Sequence, residues 1–179
     1  MTDGYQAVIY DLDGTLVELQ VDWDQVREDV ATKFRVRGFD VAEDSLWELL
    51  ERADHEPLER AVEETIAEHE RQGARRSDRL PTADELPLDV PVGVCSLNCE
   101  AACRIALELH GLDRYVDVIV GRDTLPEHKP DPTPLLHAAD GLAVAPEQTL
   151  FVGDSNSDEV AAERAGMGFE WVSDRLGRV

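Results

Sequence analysis

Apolar residues recur along this chain with two different periods, and the change from one to the other divides it. Near the start, Ala7-Val8-Ile9-Tyr10 run without a break into Asp11-Leu12-Asp13-Gly14-Thr15. An uninterrupted apolar run, in place of an apolar/polar alternation, predicts a strand covered on both faces, as in parallel α/β sheets. Past Leu16 the spacing becomes helical. Val26, Val30 and Phe34 recur every four residues and Gly38 ends the run; Leu46, Leu49, Leu50 and Ala53 form a second stripe, and Leu58, Val62 and Ile66 a third. Three amphipathic helices with no strand signal among them predict a helical unit from about Glu18 to Leu80, with Trp23 and Trp47 packed inside it. Pro81, Pro87 and Pro91 mark its boundary.

From Pro91 onward strands and helices alternate. Val92 to Ser96 reads as a short strand, Glu100 to His110 as a helix stopped by Gly111, and Tyr115 to Val120 as a further strand. A Pro-rich loop carries Lys129-Pro130-Asp131-Pro132, and Thr133 to Asp140 is helical. Thr149 to Val152 is a strand leading into Gly153-Asp154-Ser155-Asn156-Ser157-Asp158; an Ala-rich helix follows to Gly166, and Phe169 to Val172 is the last strand. Such alternation implies right-handed crossovers and a parallel sheet with helices on both faces.

Composition narrows the field. The 179 residues suit one compact domain with an insertion, or two small domains. Against 39 acidic residues stand 17 basic ones, a formal charge of -22. A nucleic-acid partner is therefore not expected, because phosphate binding needs a basic footprint. Lysine occurs only at Lys33 and Lys129, whereas arginine occurs fifteen times. An acidic surface stripped of lysine is expected of a protein kept soluble in concentrated salt, where the Debye length falls to about 3 Å at 1 M; the alternative is an ordinary acidic cytosolic protein. No basic region and apolar core precede Asp11, and no stretch approaches a membrane span, so a cytoplasmic location is expected and no membrane partner. Cys95, Cys99 and Cys103 are spaced by four, but no His or fourth Cys completes a metal set, and they read as small buried hydrophobes. Arg71, Arg75, Arg76 and Arg79 cluster at the end of the helical unit. Most such clusters balance nearby acids on a solvated face; the alternative is that Arg75 or Arg76 reaches an anionic substrate across a cleft.

The candidate chemistry lies at the strand ends, where open parallel sheets bind ligands. Residues two apart on a strand share a face, so Asp11 and Asp13 can address one substrate, with Gly14 permitting a sharp turn. The plainer reading of Asp-x-Asp-Gly is a polar strand end and a turn. The second strand ends at Ser96, the loop after the third carries Lys129, and the fourth delivers Asp154 with Asp158 near it. So dense a carboxylate cluster needs cations to stay ionised. Lys129 supplies one, and a hard divalent ion with oxygen ligands, most naturally Mg2+, would supply another.

The ordered set Asp11-x-Asp13-Gly14-Thr15, Ser96, Lys129-Pro130 and Gly153-Asp154-x-x-x-Asp158 resembles the haloacid dehalogenase-like superfamily of phosphohydrolases, in its phosphoglycolate-phosphatase-like branch. The resemblance implies a Rossmann-like three-layer sandwich, its parallel sheet built around the first strand, with residues 1–17 and 86–179 as the catalytic core and residues 18–85 as a helical cap. It implies a Mg2+-dependent phosphatase acting on a small phosphorylated metabolite. Asp11 would be the nucleophile that forms an aspartyl-phosphate, and Asp13 the acid that protonates the leaving oxygen and then activates water. Ser96 and the amides of Leu97 and Asn98 would bind the phosphoryl group, and Lys129 would neutralise it. The metal would sit on Asp11, the main-chain carbonyl of Asp13, and Asp154. Asp158 would be either a partner of Lys129 or a ligand through water. The family usually places Asn directly after its Ser or Thr; here Leu97 follows Ser96 and Asn98 comes one position later.

Within the family, Asp13 argues against dehalogenation, which has no oxyanion leaving group to protonate. A phosphomutase and a non-catalytic member that binds phosphate compounds or a protein are the alternatives. A receiver-type signalling module also combines Asp, a hydroxyl residue and Lys, but its lysine comes last and it lacks so long an insertion.

Overall fold

Every residue of the first strand, β1 (Ala7–Tyr10), is buried, which is why its sequence shows no alternation. The structure, a computed structural model, describes residues 4–41, 44–53 and 56–177. Side chains of β1 divide by parity, as a strand requires. Val8 and Tyr10 pack with Ala102, Cys103, Ala106 and Leu107 of α4 (Glu100–Leu109). Ala7 and Ile9 pack with Leu135 and Ala138 of α5 (Thr133–Gly141) and Ala161 and Ala162 of α6 (Asn156–Ala165). The two layers of helices sandwich a five-stranded sheet of β4 (Val92–Cys95), β5 (Val118–Val120), β6 (Thr149–Gly153) and β7 (Gly168–Trp171) around β1. Its order is β5-β4-β1-β6-β7 and every pairing is parallel, so the first strand is central, as expected. All the carboxyl ends therefore open on one edge.

The three predicted helices form as α1 (Trp23–Arg35), α2 (Leu46–Arg52) and α3 (Glu56–Ala74). Their stripes meet in a core of their own, in which Val26, Val30, Phe34, Leu49, Leu58, Val62 and Ile66 are buried. Asp22 caps α1 by accepting from the Gln25 amide at 3.0 Å, and Ser45 with Glu48 forms a capping box on α2. Chain entry and exit run through a short antiparallel ribbon, β2 (Val17–Glu18) against β3 (Asp78–Arg79). Two-residue strands carry no periodicity, and none was expected here. Ala83 and Leu86, just past the ribbon, belong to the core beneath the sheet. Among the described residues no helix is long and apolar enough to cross a membrane.

Several expectations need correcting. Tyr115 closes a 3-10 turn, Asp113–Tyr115, and β5 begins only at Val118, because the Asp117 carboxylate accepts from the Val92 amide at 3.0 Å where the strand was expected. Val172 starts a short helix, α7 (Val172–Leu176), held by Arg175 bonded to Glu85 and Glu170. Trp23 is not packed within the helical unit: it stands at the first turn of α1, 47% exposed. The Trp47 side chain lies outside the described residues. The three cysteines are buried and unpaired, as small hydrophobes are.

Candidate active site

Just beyond β1 the backbone reverses. Gly14 takes φ +80° and its amide donates to the Val17 carbonyl at 2.8 Å. A side chain there would also strike the Asp154 carboxylate. Glycine is thus required twice over. The turn buries Leu12 and leaves Asp11 and Asp13 lining the same cavity, as their spacing predicted. Ser96, Leu97, Asn98, Lys129, Asp154 and Asp158 line it too, although Asp11 and Asp158 are 147 positions apart.

Lys129 is the electrostatic centre. Its Nζ donates to Asp11 Oδ1 at 2.8 Å, to Asp158 Oδ1 at 2.6 Å and to the Cys95 carbonyl at 3.1 Å, and it stands 5.3 Å from the centre of the Phe151 ring. Burial alone would lower the ammonium's pKa; the Asp11 and Asp158 carboxylates outweigh it and hold the group protonated. Burial likewise raises the Asp11 carboxyl, against the pull of Lys129. Asp13 is pushed up to about 6 by burial, and the Leu19 amide, donating to its Oδ1 at 2.7 Å, works the other way. A carboxyl group poised there can hold and release a proton near neutral pH.

Asp158 has a second task. Its Oδ2 accepts from the Ser155 amide at 3.1 Å and the Ser155 hydroxyl at 2.7 Å, closing a capping box on α6. Oxygens of Asp11, Asp154 and Asp158 all lie within 4.8 Å of one another. Both oxygens of Asp158 are engaged by Lys129 and Ser155, so Asp11 and the exposed Asp154 have capacity for a cation. Burial, with Asp158 beside it, raises the Asp154 carboxyl, as expected of a site that gains from a positive charge. An all-carboxylate donor set suits a hard ion such as Mg2+.

At the expected phosphate corner, Ser96 Oγ donates to Asn98 Oδ1 at 3.0 Å and accepts from the Asn98 amide at 3.2 Å. The Asn98 amide is thus engaged by Ser96. The start of α4 is also occupied: the Cys99 amide donates to Glu70 Oε2 at 2.9 Å and the Glu100 amide to Asp123 Oδ1 at 2.7 Å. Leu97 is 39% exposed toward the cavity.

Two arginines of the cavity were not anticipated. Arg122, in the turn after β5, bonds Glu63 and the buried Glu70 of α3 and the Leu97 carbonyl at 2.9 Å. It therefore links α3 to the sheet. Its position just past a strand end was the available signal. Arg27 reaches the cavity from α1. The Arg71–Arg79 cluster lies on a solvated face beside acids, as the plainer reading had it: Arg71 pairs with Glu64 and Glu68 and Arg79 with Asp84, while Arg75 and Arg76 are exposed and do not line the cavity.

A family model for haloacid dehalogenase-like hydrolases matches residues 8–172, from β1 to the start of α7. The chain belongs to that family. A phosphoglycolate phosphatase of Nitrosococcus oceani is 51% identical over 55 residues, 31% of this chain and 24% of the relative. Another, from Cereibacter sphaeroides, is 44% identical over 78 residues, 44% of this chain and 35% of the relative. The chain thus spans about a quarter to a third of the length of these relatives. Among solved structures, a haloacid dehalogenase-superfamily hydrolase of subfamily IA from Geobacter sulfurreducens superposes with TM-score 0.61 at 26% identity, covering 92% of this chain and 88% of that one. In this haloacid dehalogenase-like chain the family's ordered motifs converge on one cavity, at the carboxyl edge of the sheet.

Proposed function

We propose that the protein is a Mg2+-dependent phosphohydrolase that cleaves a small phosphomonoester through an aspartyl-phosphate on Asp11, with residues 18–85 as its cap, working in a salt-rich cytoplasm. One observation carries the reading: Asp11, buried at the end of the central strand, is held by Lys129 at 2.8 Å while Asp13 faces the same cavity with a raised pKa. A carboxylate nucleophile and a carboxylic acid two residues apart supply the two functions that ester cleavage needs.

A carboxylate oxygen of Asp11 attacks phosphorus as the bond to the ester oxygen breaks, and protonated Asp13 gives its proton to that oxygen, releasing the alcohol. Water then attacks the phosphorus, Asp13 takes its proton, and the aspartyl bond breaks to return the Asp11 carboxylate and inorganic phosphate. Lys129 screens the charge as it gathers on the phosphoryl oxygens, and the Ser96 hydroxyl exchanges its Asn98 partner for one of them. Mg2+, held by Asp11, Asp154 and the Asp13 carbonyl, would supply the remaining charge neutralisation. Asp158 positions Lys129.

Phosphate release from a panel of small phosphomonoesters, in concentrated salt with Mg2+ and then with chelator, tests this. Magnesium-dependent release, abolished in a folded Asp11→Asn variant, is expected. Full activity in that variant removes the nucleophile assignment, and silence across the panel from folded protein transfers the reading to a mutase or a binder.

A further inference from the structure

Leu97 and Trp23 leave large apolar surfaces exposed, 39% and 47%, and both face the cavity, one from the sheet side and the other from the helical unit. Hydrolysis of an ester bond makes no use of either. Leu50, half-buried, continues that surface. The cavity measures about 1090 Å³, just above the roughly 300–1,000 Å³ usual for ligand pockets. A two-carbon phosphoester fills only the corner beside Asp11.

Charge points the same way. A second anionic group on the substrate needs a cation at the far wall, and both arginines there are engaged by groups of the protein. Arg122 carries two carboxylates, Glu63 and Glu70, against its single charge, and its remaining nitrogen, Nη2, is buried without a hydrogen-bond partner. Arg27 is held by the Asp44 and Val41 carbonyls, with Glu28 at 3.6 Å. Asp24 and Glu59 add negative charge to the same wall. A carboxylate or second phosphate entering that end would lose its hydration and meet an acidic surface.

We infer that the site takes a phosphomonoester whose leaving group is apolar and uncharged, held between Leu97 and Trp23, and not an acid phosphate such as phosphoglycolate or a bisphosphate. This rests on the phosphatase reading above. The reaction is unchanged: the phosphorus–oxygen bond passes to Asp11, and the alcohol leaves with the Asp13 proton.

The test compares methyl, butyl, hexyl and phenyl phosphate with 2-phosphoglycolate, both as substrates of the parent enzyme and, by calorimetry, as ligands of the Asp11→Asn variant. Each buried methylene is worth about fourfold at most, so kcat/KM and affinity should rise roughly two- to fourfold per carbon up to hexyl, with 2-phosphoglycolate far below. Trp23→Ala and Leu97→Asn should each cut the hexyl-to-methyl ratio by about tenfold. A flat series, or 2-phosphoglycolate preferred over hexyl phosphate, overturns the inference; so does phosphocholine outperforming hexyl phosphate, which would assign the acidic wall to a cation. If no ester releases phosphate, the phosphatase reading fails. Calorimetry then still decides: hexyl phosphate binding more tightly than 2-phosphoglycolate sustains the apolar site, and the reverse order removes it.

Discussion

Glu70 provides a demanding test of how the helical unit is fastened to the sheet. It lies in the last turns of α3 with 1% of its surface exposed, and its two oxygens take the Cys99 amide at the start of α4 and the Arg122 guanidinium. Glu70→Ala removes both bonds. Breaking a buried ion pair from one side costs about 3–5 kcal/mol. Arg122, however, keeps Glu63 and the Leu97 carbonyl and is itself 15% exposed, so its share falls to about 2 kcal/mol. The orphaned Cys99 amide adds about 1 kcal/mol. A total near 3 kcal/mol lowers the melting temperature of a chain this size by roughly 6–12 °C. Glu70→Gln keeps an acceptor and loses the charge, so about half that shift is expected. The double variant Glu70→Leu with Arg122→Leu should fall only about 2 kcal/mol below the parent, well short of the sum of its singles, because an apolar pair leaves no buried charge to solvate and only the Cys99 amide and the Leu97 carbonyl lose their partners. The assay is denaturant unfolding in one concentrated-salt buffer, followed by tryptophan fluorescence and far-UV circular dichroism. A Glu70→Ala variant within about 0.5 kcal/mol of the parent would refute the reasoning, as would a double variant as weak as the sum of its singles.

The remaining tests are shorter. Lys129→Met leaves Asp11 and Asp158 buried without their cation; a loss of at least about 10²-fold in kcat/KM is expected, and a variant as active as the parent would contradict the electrostatic role. Asp13→Asn should slow alkyl phosphates by about 10²–10⁴-fold and leave 4-nitrophenyl phosphate releasing one equivalent of nitrophenol in a burst, since that leaving group needs no acid while the aspartyl-phosphate still needs its base. Equal losses on both esters with no burst would count against it. Burial pushes the Cys95 thiol up to about 12 and the Cys99 thiol to about 11, so native protein should resist iodoacetamide at pH 8 and react at all three cysteines once unfolded; rapid native labelling is the contrary result. With a formal charge of -22, the melting temperature should climb as potassium chloride is raised toward 2 M, and a midpoint indifferent to salt would leave salt adaptation without support.

What the sequence made legible was whatever strand geometry alone determines. Asp11, Ser96 and Asp154 each follow a run of apolar residues, and parallel strands put all such ends on one edge, so their convergence needed no knowledge of side-chain packing. The features that escaped depend on contacts between distant segments. Glu70 and Arg122 are separated by 52 positions and look like ordinary surface charges until α3 and α4 are packed. Trp23 lies on the same helical stripe as Val26 and Val30, but at the first turn of α1 that face looks onto the cleft, and periodicity does not say where a partner helix stops. The Ser-x-x-Asp pattern of a capping box at Ser155 and Asp158 was readable, yet the same carboxylate also serves Lys129, which spacing alone could not tell.

Lys129 is where composition and geometry meet. A chain that uses arginine fifteen times and lysine twice has placed one of its lysines in the interior. The reason lies in the donor count. An ammonium offers three N–H groups around a compact charge, and the site offers three acceptors: Asp11, Asp158 and the Cys95 carbonyl. A planar guanidinium would bring five donors in a rigid fork and leave two of them buried without partners. Lys129→Arg should therefore fail almost as completely as Lys129→Met, although it keeps the charge. Near-parental kcat/KM in the arginine variant would show that charge alone, and not the matching of three donors to three acceptors, is what the site requires.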